Sequence, residues 1–282
     1  MTKPPTILLV VATYNCAATL ARCLDSFVAQ DYPHKKLAVI DGGSDDGTVE
    51  IIKKYEKHID YWVSEPDKGI YDAWNKALTA PIEWDWVQFM GGDDHYYDGQ
   101  VLGAIASCAK ERSPRYKMLY AKTKMIHISG VEKILGKEWN VEACKKEPAF
   151  PSGQVSFFYA KNIFEKYGYF DSNLRIAGDM EHFFRFMEHE RFWYMPNIIS
   201  TVHHEGGIST SPVYDWIHWK EKNRILRRYG YGSSQGISNY YIALVRLIKL
   251  GIYKCSGERV LLGLVSRIRC FTGGRKMKLL SK

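Results

Sequence analysis

Hydrophobic runs and helical periodicities alternate along the first hundred residues. Four short, mainly apolar stretches predict strands, and the first of them is a continuous run typical of a strand buried on both faces of a parallel sheet. They lie at 6–12, 37–40, 59–63 and 86–90. Between them, the apolar spacing predicts helices at 18–30, 49–55 and 70–78. Short strands separated by longer helices predict an α/β fold with a doubly wound, mostly parallel central sheet.

The pattern is less regular in the second half of the chain. It predicts two or three short strands within 117–134 and a loop over 136–151. A strand at 154–159 and helices at 161–167 and 180–190 follow. We expect one α/β domain over residues 1–212 and a separate helical tail over 213–282.

Charge separates the tail from the rest of the chain. The net charge is +8, but residues 213–282 carry 15 Lys and Arg against 3 Asp and Glu. Residues 1–212 hold 24 basic and 28 acidic residues, so the body is mildly acidic. A strongly basic tail favours an anionic partner, of which nucleic acid and anionic lipid are the common kinds.

The apolar residues of the tail bear on the choice of partner. Read as helices, two stretches each place their apolar side chains on one face. These are Tyr241, Leu244, Val245, Ile248 and Ile252, then Leu261, Leu264, Val265 and Ile268. An apolar stripe beside basic residues predicts helices that lie on an anionic membrane. The alternative is that they pack on the body, on a partner or in an oligomer. Nucleic-acid binding is disfavoured because no recognised motif accompanies the charge.

Carboxylates follow the predicted strands at the point where each strand ends. Asp41, Glu65, Asp93 and Asp94 all occupy such positions. In an open α/β sheet, ligands bind in the crevice outside the carboxyl ends of the strands. Each acid alone could be a turn former or a helix cap. Together they predict a ligand site at this edge of the sheet.

The pair Asp93 and Asp94, preceded by Gly91 and Gly92, suits a hard divalent cation with oxygen ligands. Such a cation could neutralise a phosphate leaving group as a Lewis acid. The sequence contains neither a Walker-type phosphate loop nor a GxGxxG dinucleotide motif. A crevice for a metal-bound diphosphate is therefore the favoured interpretation.

Several motifs of the N-terminal third match a known family. They are VATYN at 11–15, IDGGSDDGT at 40–48, SEPDKGIYDAWNK at 64–76 and GGDD at 91–94. With them the chain resembles the family-two inverting glycosyltransferases of GT-A fold, and among these the bacterial O-antigen and capsule branch. A weaker similarity continues through Gly153-Gln154, Ala177-Gly178-Asp179 with Arg185, and 206–209.

The resemblance implies roles for individual residues. The donor-binding residues would be Ala12, Thr13, Tyr14, Asn15, Asp41, Glu65, Lys68, Asn75 and Asp93. Tyr14 would stack near the base, Ala12 and Thr13 would offer main-chain contacts, and Asp41 would accept the imide N–H of uracil. Glu65, Lys68 and Asn75 would line the ribose and diphosphate. Asp94, the last acid of the DXD-type motif, would bind Mn2+ or Mg2+, and Asp179 would be the catalytic base.

The chain departs from the family pattern at three places. The metal motif is Gly-Gly-Asp-Asp, Gly178 replaces the usual Glu before Asp179, and Gly153 stands where many relatives have His. Asp179 could alternatively cap a helix. Arg185 could pair with a core carboxylate or with the diphosphate. His203 or His204 could contact the metal or the diphosphate, or simply pack.

Taken together, the sequence predicts a metal-dependent inverting glycosyltransferase that uses a UDP-linked donor. The resemblance and the tail imply a polyprenyl-diphosphate-linked glycan acceptor in bacterial surface polysaccharide synthesis. They also imply a cytoplasmic protein held on the inner face of the plasma membrane. One rival is a nucleotidyltransferase or pyrophosphatase, which would carry a Gly-rich basic loop where Thr13, Tyr14 and Asn15 stand. The other is a non-catalytic sugar-nucleotide-binding membrane subunit, which the retained Asp94 and Asp179 disfavour.

Overall fold

The computed structural model describes residues 3–204 and 212–231. The strands are β1 (Ile7–Thr13), β2 (Lys35–Asp41), β3 (Tyr61–Ser64), β4 (Trp86–Gly91), β5 (His95–Tyr96), β6 (Met118–Ile126), β7 (Glu132–Leu135), β8 (Phe157–Ala160) and β9 (Phe192–His204). The helices are α1 (Leu20–Val28), α2 (Thr48–Lys54), α3 (Ile70–Leu78), α4 (Val101–Arg112), α5 (Val141–Lys146), α6 (Lys161–Tyr167), α7 (Gly178–Phe186) and α8 (Pro212–Tyr229).

The described strands join in a mixed sheet of order β3-β2-β1-β4-β8-β6-β9-β5, with β7 paired to β6. β3, β2, β1 and β4 run parallel, as the sequence predicts for this half. Beyond β4 the sheet changes character, because β8 pairs antiparallel with both β4 and β6. The predicted mostly parallel sheet is therefore correct only for the first half. Short apolar runs indicate buried strands, but they do not reveal the direction of a neighbour from a distant part of the chain.

Other differences also lie in the second half. The region expected to hold two or three short strands forms the long strand β6 and the short strand β7, and the expected loop over 136–151 contains α5. The strand expected at 154–159 begins as a 3-10 turn and continues as β8. Helix α4 was not predicted, because the many small residues in VLGAIASCAKER weaken the helical periodicity of its apolar positions.

The core surrounds β1 and β4 and leaves their carboxyl ends at one edge. On one face of β1, Leu9 and Val11 belong to the same buried cluster as Leu24 of α1 and Ile105 of α4. The other face of the sheet is aromatic. There Trp74 of α3 packs on Phe89 of β4 and on Phe170, with ring centroids 4.6 and 5.1 Å apart. Apolar packing on both faces therefore fixes the strands whose ends carry the predicted site.

Contacts divide the chain into two compact units. One comprises Met1–Cys144 with Ala149–Gly206, and the other comprises Lys145–Pro148 with Gly207–Lys282. In the second unit the stacked rings of Trp216 and Trp219 lie on α8, with centroids 5.1 Å apart. The predicted boundary at residue 212 stays a prediction. The amphipathic faces predicted at 241–252 and 261–268 lie outside the described residues. Among the residues that are described, none of the helices has the length and apolar character needed to cross a membrane.

Candidate active site

Asp41 organises the loop that follows β2. Its side chain is fully buried, and Oδ2 accepts hydrogen bonds from Gly43 N, Ser44 N and Ser64 Oγ at 3.1, 2.9 and 2.6 Å. Oδ1 accepts a further hydrogen bond from Ser44 Oγ. A carboxylate offers about four lone-pair positions, so the loop and Ser64 at the end of β3 together satisfy this one. The structure places Asp41 at the predicted strand end but beneath the open surface.

The end of β1 approaches the same loop. Asn15 has a φ of 51°, a left-handed backbone that Asn tolerates better than most residues. Its N–H donates to Ser44 Oγ at 2.8 Å, and its side-chain Oδ1 accepts from Asp45 N at 3.1 Å. Asn15 thus ties β1 to the loop after β2, and its donor-binding role stays a prediction.

Tyr14 is an exposed member of the predicted donor residues on β1 and its loop. Its side chain is 56% exposed, whereas Ala12 is half-buried and Thr13 is buried. A side chain at Gly42 would lie 3.3 Å from the Tyr14 ring and 3.1 Å from Asp67 Oδ2. Tyr14, Gly42 and Asp67 therefore adjoin one another. Burial raises the pKa of Asp67 above its ordinary value.

The segment after β3 supplies Glu65, Lys68 and Asn75. Glu65 and Lys68 are exposed, and Glu65 forms a 2.7 Å ion pair with Lys76 Nζ. The side chain of Asn75 is hydrogen-bonded to the main chain of Phe170. Its Nδ2 donates to Phe170 O at 2.9 Å, and its Oδ1 accepts from Phe170 N at 3.0 Å. The structure leaves Glu65 and Lys68 open to a ligand but commits the amide of Asn75 to the Phe170 loop.

Asp93 and Asp94 follow β4 with different surroundings. Asp94 is buried; its Oδ2 accepts from Gly91 N at 3.0 Å, and its Oδ1 lies 2.7 Å from His203 Nδ1. Asp93 is partly buried, and burial followed by the charge of Asp94 raises its pKa. A side chain at Gly91 would lie 2.6 Å from Asp93 Oδ1, so glycine is what allows this carboxylate its position. The structure therefore places the imidazole of His203 in contact with Asp94, the predicted metal ligand.

One arginine and two further imidazole rings lie beside this acidic pair. Arg22 of α1 donates through Nη2 to Asp93 O at 3.1 Å. His95 and His204 stack with centroids 5.4 Å apart. Within the described residues, His95 Nδ1 and His204 Nε2 are buried without a hydrogen-bond partner. Burial lowers the pKa of His95 to about 4, so its ring is neutral near pH 7.

The chemistry of these side chains fits a divalent cation. Two carboxylates and an imidazole are ligands that Mn2+ accepts, and a cation would relieve the repulsion between Asp93 and Asp94. In the part of the chain that the structure describes, however, no three His, Cys, Asp or Glu side chains already form a metal-binding group. Asp94 and His203 contact each other, so a metal would have to separate them.

Asp179 lies in the first turn of α7 and is partly exposed. Its Oδ1 accepts from Met180 N at 2.8 Å and lies 3.1 Å from the hydroxyl of Tyr71. Tyr71 is buried, and burial, followed by the charge of Asp179, raises its pKa well above the ordinary value. Tyr71 was not singled out from the sequence, because it lies 108 residues from Asp179.

Arg185 pairs with a core carboxylate, one of the two alternatives left open above. Its Nη2 and Nε donate to the two carboxylate oxygens of Glu181, which is buried. Its Nη1 donates to Tyr167 O at 3.0 Å and to Tyr169 O at 2.7 Å. Arg185 therefore joins α7 to the chain that follows α6.

The absence of a side chain at Gly153 also has a local cause. A Cβ there would lie 2.7 Å from Thr123 Oγ1, and Thr123 is fully buried in β6. A histidine at this position would require Thr123 to move. The similarity at 206–209 lies outside the described residues.

Comparison with known proteins agrees with this fold. Residues 8–114 match the model of Glycosyl transferase family 2. The chain is 24% identical over 216 residues to a PGL/p-HBAD biosynthesis glycosyltransferase of Mycobacterium tuberculosis, covering 74% of this chain and 81% of the relative.

Solved structures show the same fold at lower identity. S. aureus TarS 1–349 in complex with UDP-GlcNAc is similar, with a TM-score of 0.63 and 18% identity over 89% of this chain and 73% of that one. The mannosyltransferase PcManGT from Pyrobaculum calidifontis, in complex with GDP-Man and Mn2+, has a TM-score of 0.61 and 16% identity over 96% of this chain and 81% of that one.

The fold is therefore similar to that of GT-A glycosyltransferases, and the protein is an enzyme of the transferase class. More particularly, the protein is a glycosyltransferase, and the part of it that matches the Glycosyl transferase family 2 model is residues 8–114.

Proposed function

We propose that the protein transfers a sugar, with inversion at C1, from a UDP-linked donor to an acceptor hydroxyl with the help of a divalent cation. The observation that carries the proposal is the Asp94–His203 contact beside Asp93, at the carboxyl end of β4. A buried carboxylate, an imidazole and a second carboxylate at this edge suit a diphosphate and its counter-ion.

Asp179 is the proposed base in this reaction. Its carboxylate takes the proton of the acceptor hydroxyl while that oxygen forms a bond to C1 of the sugar. The bond from C1 to the diphosphate oxygen breaks, and the electron pair leaves with the nucleoside diphosphate. One displacement of this kind inverts the configuration at C1. The Met180 N–H and the Tyr71 hydroxyl hold Asp179 at the start of α7.

Asp94 and His203 are the proposed metal ligands, with Asp93 beside them. A bound Mn2+ or Mg2+ would supply positive charge that stabilises the departing diphosphate. Arg22 holds the Asp93 carbonyl and so fixes the turn after β4. Lys68 is exposed after β3 and is proposed to contact the diphosphate, while Glu65 is proposed to contact the ribose.

The proposed base-binding surface is the open face of Tyr14 beside Gly42 and Asp67. The TarS complex with UDP-GlcNAc supports a uracil donor, whereas the PcManGT complex makes GDP the alternative. Asp41 shapes the loop below this surface. For its carboxylate to accept a uracil imide N–H, at least one of its internal hydrogen bonds would have to open.

We further propose a lipid-linked glycan acceptor in bacterial surface polysaccharide synthesis, of the O-antigen or capsule kind, at the inner face of the plasma membrane. The basic composition of 213–282 supports this, because each Lys or Arg near an anionic surface contributes about 1 kcal/mol to binding. The same tail is the proposed site of any oligomerisation.

A nucleotide-release assay tests the proposal. The parent protein is incubated with UDP-glucose, UDP-galactose, UDP-GlcNAc or GDP-mannose, each with Mn2+, with Mg2+ or with EDTA. Water serves as the acceptor when no glycan is added. We expect release of UDP with a metal and little release in EDTA, and NMR of the freed sugar should show inversion.

The products separate the rivals. A pyrophosphatase would form UMP and sugar 1-phosphate, and a non-catalytic subunit would bind UDP without turnover. Either result would overturn the proposed reaction. Undiminished UDP release in EDTA would overturn the metal assignment alone, and a preference for GDP-mannose would overturn the choice of uracil.

A further inference from the structure

We propose that Tyr71 is a positioning residue for Asp179, and that in this chain it takes over the support that an acidic neighbour at residue 178 would otherwise give. The inference rests on the proposed role of Asp179 as the base. It concerns the chain's own departure from the Glu-Asp pattern.

The hydroxyl of Tyr71 lies between two oxygen atoms of the α7 start. It is 2.7 Å from Ile176 O and 3.1 Å from Asp179 Oδ1. The ring is fixed by a stacked contact with Phe170 at 5.8 Å and an edge contact with Trp74 at 5.4 Å. Because the side chain is only 3% exposed, water does not compete for this position. With its single hydrogen the hydroxyl can donate either to the carboxylate or to the main-chain carbonyl that leads into α7.

Gly178 makes this arrangement possible. A Cβ at residue 178 would lie 2.7 Å from Tyr71 Cδ2 and Cε2 and 2.9 Å from Cγ, well inside van der Waals contact. Any side chain at 178 would therefore displace the ring and its hydroxyl. The absence of an acid at residue 178 and the presence of Tyr71 are thus linked. The Tyr71 ring occupies the space that a side chain at residue 178 would need, and its hydroxyl contacts Asp179.

The contact changes direction as Asp179 gains a proton. A phenol has one hydrogen and can also accept, so it suits both states of the carboxyl group. While Asp179 is ionised, the Tyr71 O–H donates towards Oδ1. When the carboxyl group carries the proton from the acceptor hydroxyl on Oδ1, it can donate to Tyr71 Oη, while Tyr71 donates to Ile176 O. Tyr71 keeps its own proton throughout, since its pKa is raised well above 10.

Tyr71→Phe is the decisive variant, because it removes the hydroxyl and leaves the ring contacts in place. In the UDP-release assay, on the UDP-sugar that the parent turns over fastest, kcat should fall roughly 10- to 100-fold, the scale of one hydrogen bond to a charged group. KM for the donor and the Kd of UDP should stay at parental values, because neither reports on the base. Gly178→Ala should also lower kcat, by displacing the ring.

A double-mutant cycle separates positioning from a general structural effect. If Tyr71 acts through Asp179, Tyr71→Phe should cause no further loss in an Asp179→Asn background. The matched control is Tyr120→Phe. Tyr120 lies in β6 and is also buried, and its hydroxyl donates to Lys137 O at 3.0 Å. This variant should leave kcat unchanged.

Each possible result either supports or overturns the proposed role of Tyr71. Parental kcat in Tyr71→Phe, or an equal loss in both backgrounds, would overturn this inference and leave the proposed base intact. Parental kcat in Asp179→Asn would instead overturn the proposed base itself, and with it the role of Tyr71. A loss in Tyr71→Phe that disappears in the Asp179→Asn background would support both.

Discussion

Replacing Arg185 by methionine should destabilise the fold without weakening nucleotide binding. Arg185 is the ion-pair partner of Glu181, whose side chain is only 2% exposed, and it also donates to two main-chain carbonyls. Removing one partner of a buried ion pair costs about 3–5 kcal/mol, because an uncompensated charge remains. Arg185 is 23% exposed, so water can replace part of the lost interaction, and we expect the lower end, about 3 kcal/mol.

That change is large enough to measure by thermal unfolding. In a domain of about 200 residues, each kcal/mol shifts Tm by about 2–4 °C, so Arg185→Met should lower Tm by about 6–12 °C. Lys166→Met is the matched control. It breaks the ion pair between Lys166, which is 63% exposed, and Glu190, and an exposed pair of this kind contributes little to stability, so Tm should stay close to that of the parent. Arg185→Met combined with Glu181→Gln should recover part of the loss, since the buried charge is then absent.

Calorimetric titration with UDP, well below Tm, completes the experiment. The structure commits Arg185 to Glu181 and to the carbonyls, so the Kd of UDP should match that of the parent. If Arg185→Met kept the parental Tm and bound UDP tenfold more weakly, the arginine would serve the diphosphate, and the reasoning from its contacts would be refuted.

Four further predictions concern the site and its surroundings. Asp94→Asn and His203→Asn should each abolish the Mn2+-dependent part of UDP binding in calorimetry; equal binding by parent and variants would contradict the metal assignment. Asp179→Asn should slow UDP release roughly 10²–10⁴-fold at unchanged UDP affinity, and a parental rate would exclude it as the base. Burial lowers the pKa of His182 to about 3, whereas the unfolded side chain takes up a proton below about pH 6.5. The free energy of unfolding should therefore fall as pH decreases from 6.5 towards 3, by up to about 1.4 kcal/mol per pH unit. Urea titrations at several pH values should show that the unfolding free energy of His182→Gln depends less steeply on pH than that of the parent; an equal dependence would contradict this assignment. Finally, the full chain should sediment with anionic vesicles at low salt and less so at high salt; a chain that stays in the supernatant would refute membrane binding by 213–282.

The parallel half of the sheet was predictable because its strands are short, mainly apolar runs that alternate with helices, a pattern typical of a parallel sheet. The other half was not. β8 inserts between β4 and β6 although it follows both in the chain, and nothing in the sequence FFYA specifies those neighbours. Pairing of this kind is decided by tertiary packing, which a local pattern does not contain.

The site shows a similar division. The motifs and the strand-end positions identified Asp94 and Asp179 as candidate site residues. They did not indicate that the side chain of Asp41 is buried and accepts four hydrogen bonds. A strand-end position fixes where a residue lies along the chain, but not which way its side chain faces. The glycine at 178 looked like a lost acid in the sequence, and only the ring of Tyr71 explains it.

The long separations between contacting residues have a consequence for how the protein folds. Asp94 meets His203 across 109 residues, Tyr71 meets Asp179 across 108, and Asn75 meets Phe170 across 95. Contacts so distant in sequence carry a large loop-closure entropy and lower the folding rate. The residues proposed to bind the metal and to move the proton therefore meet only after the second half of the chain has packed against the first. A nascent chain released after residue 114 would contain the family-matched segment without a working centre.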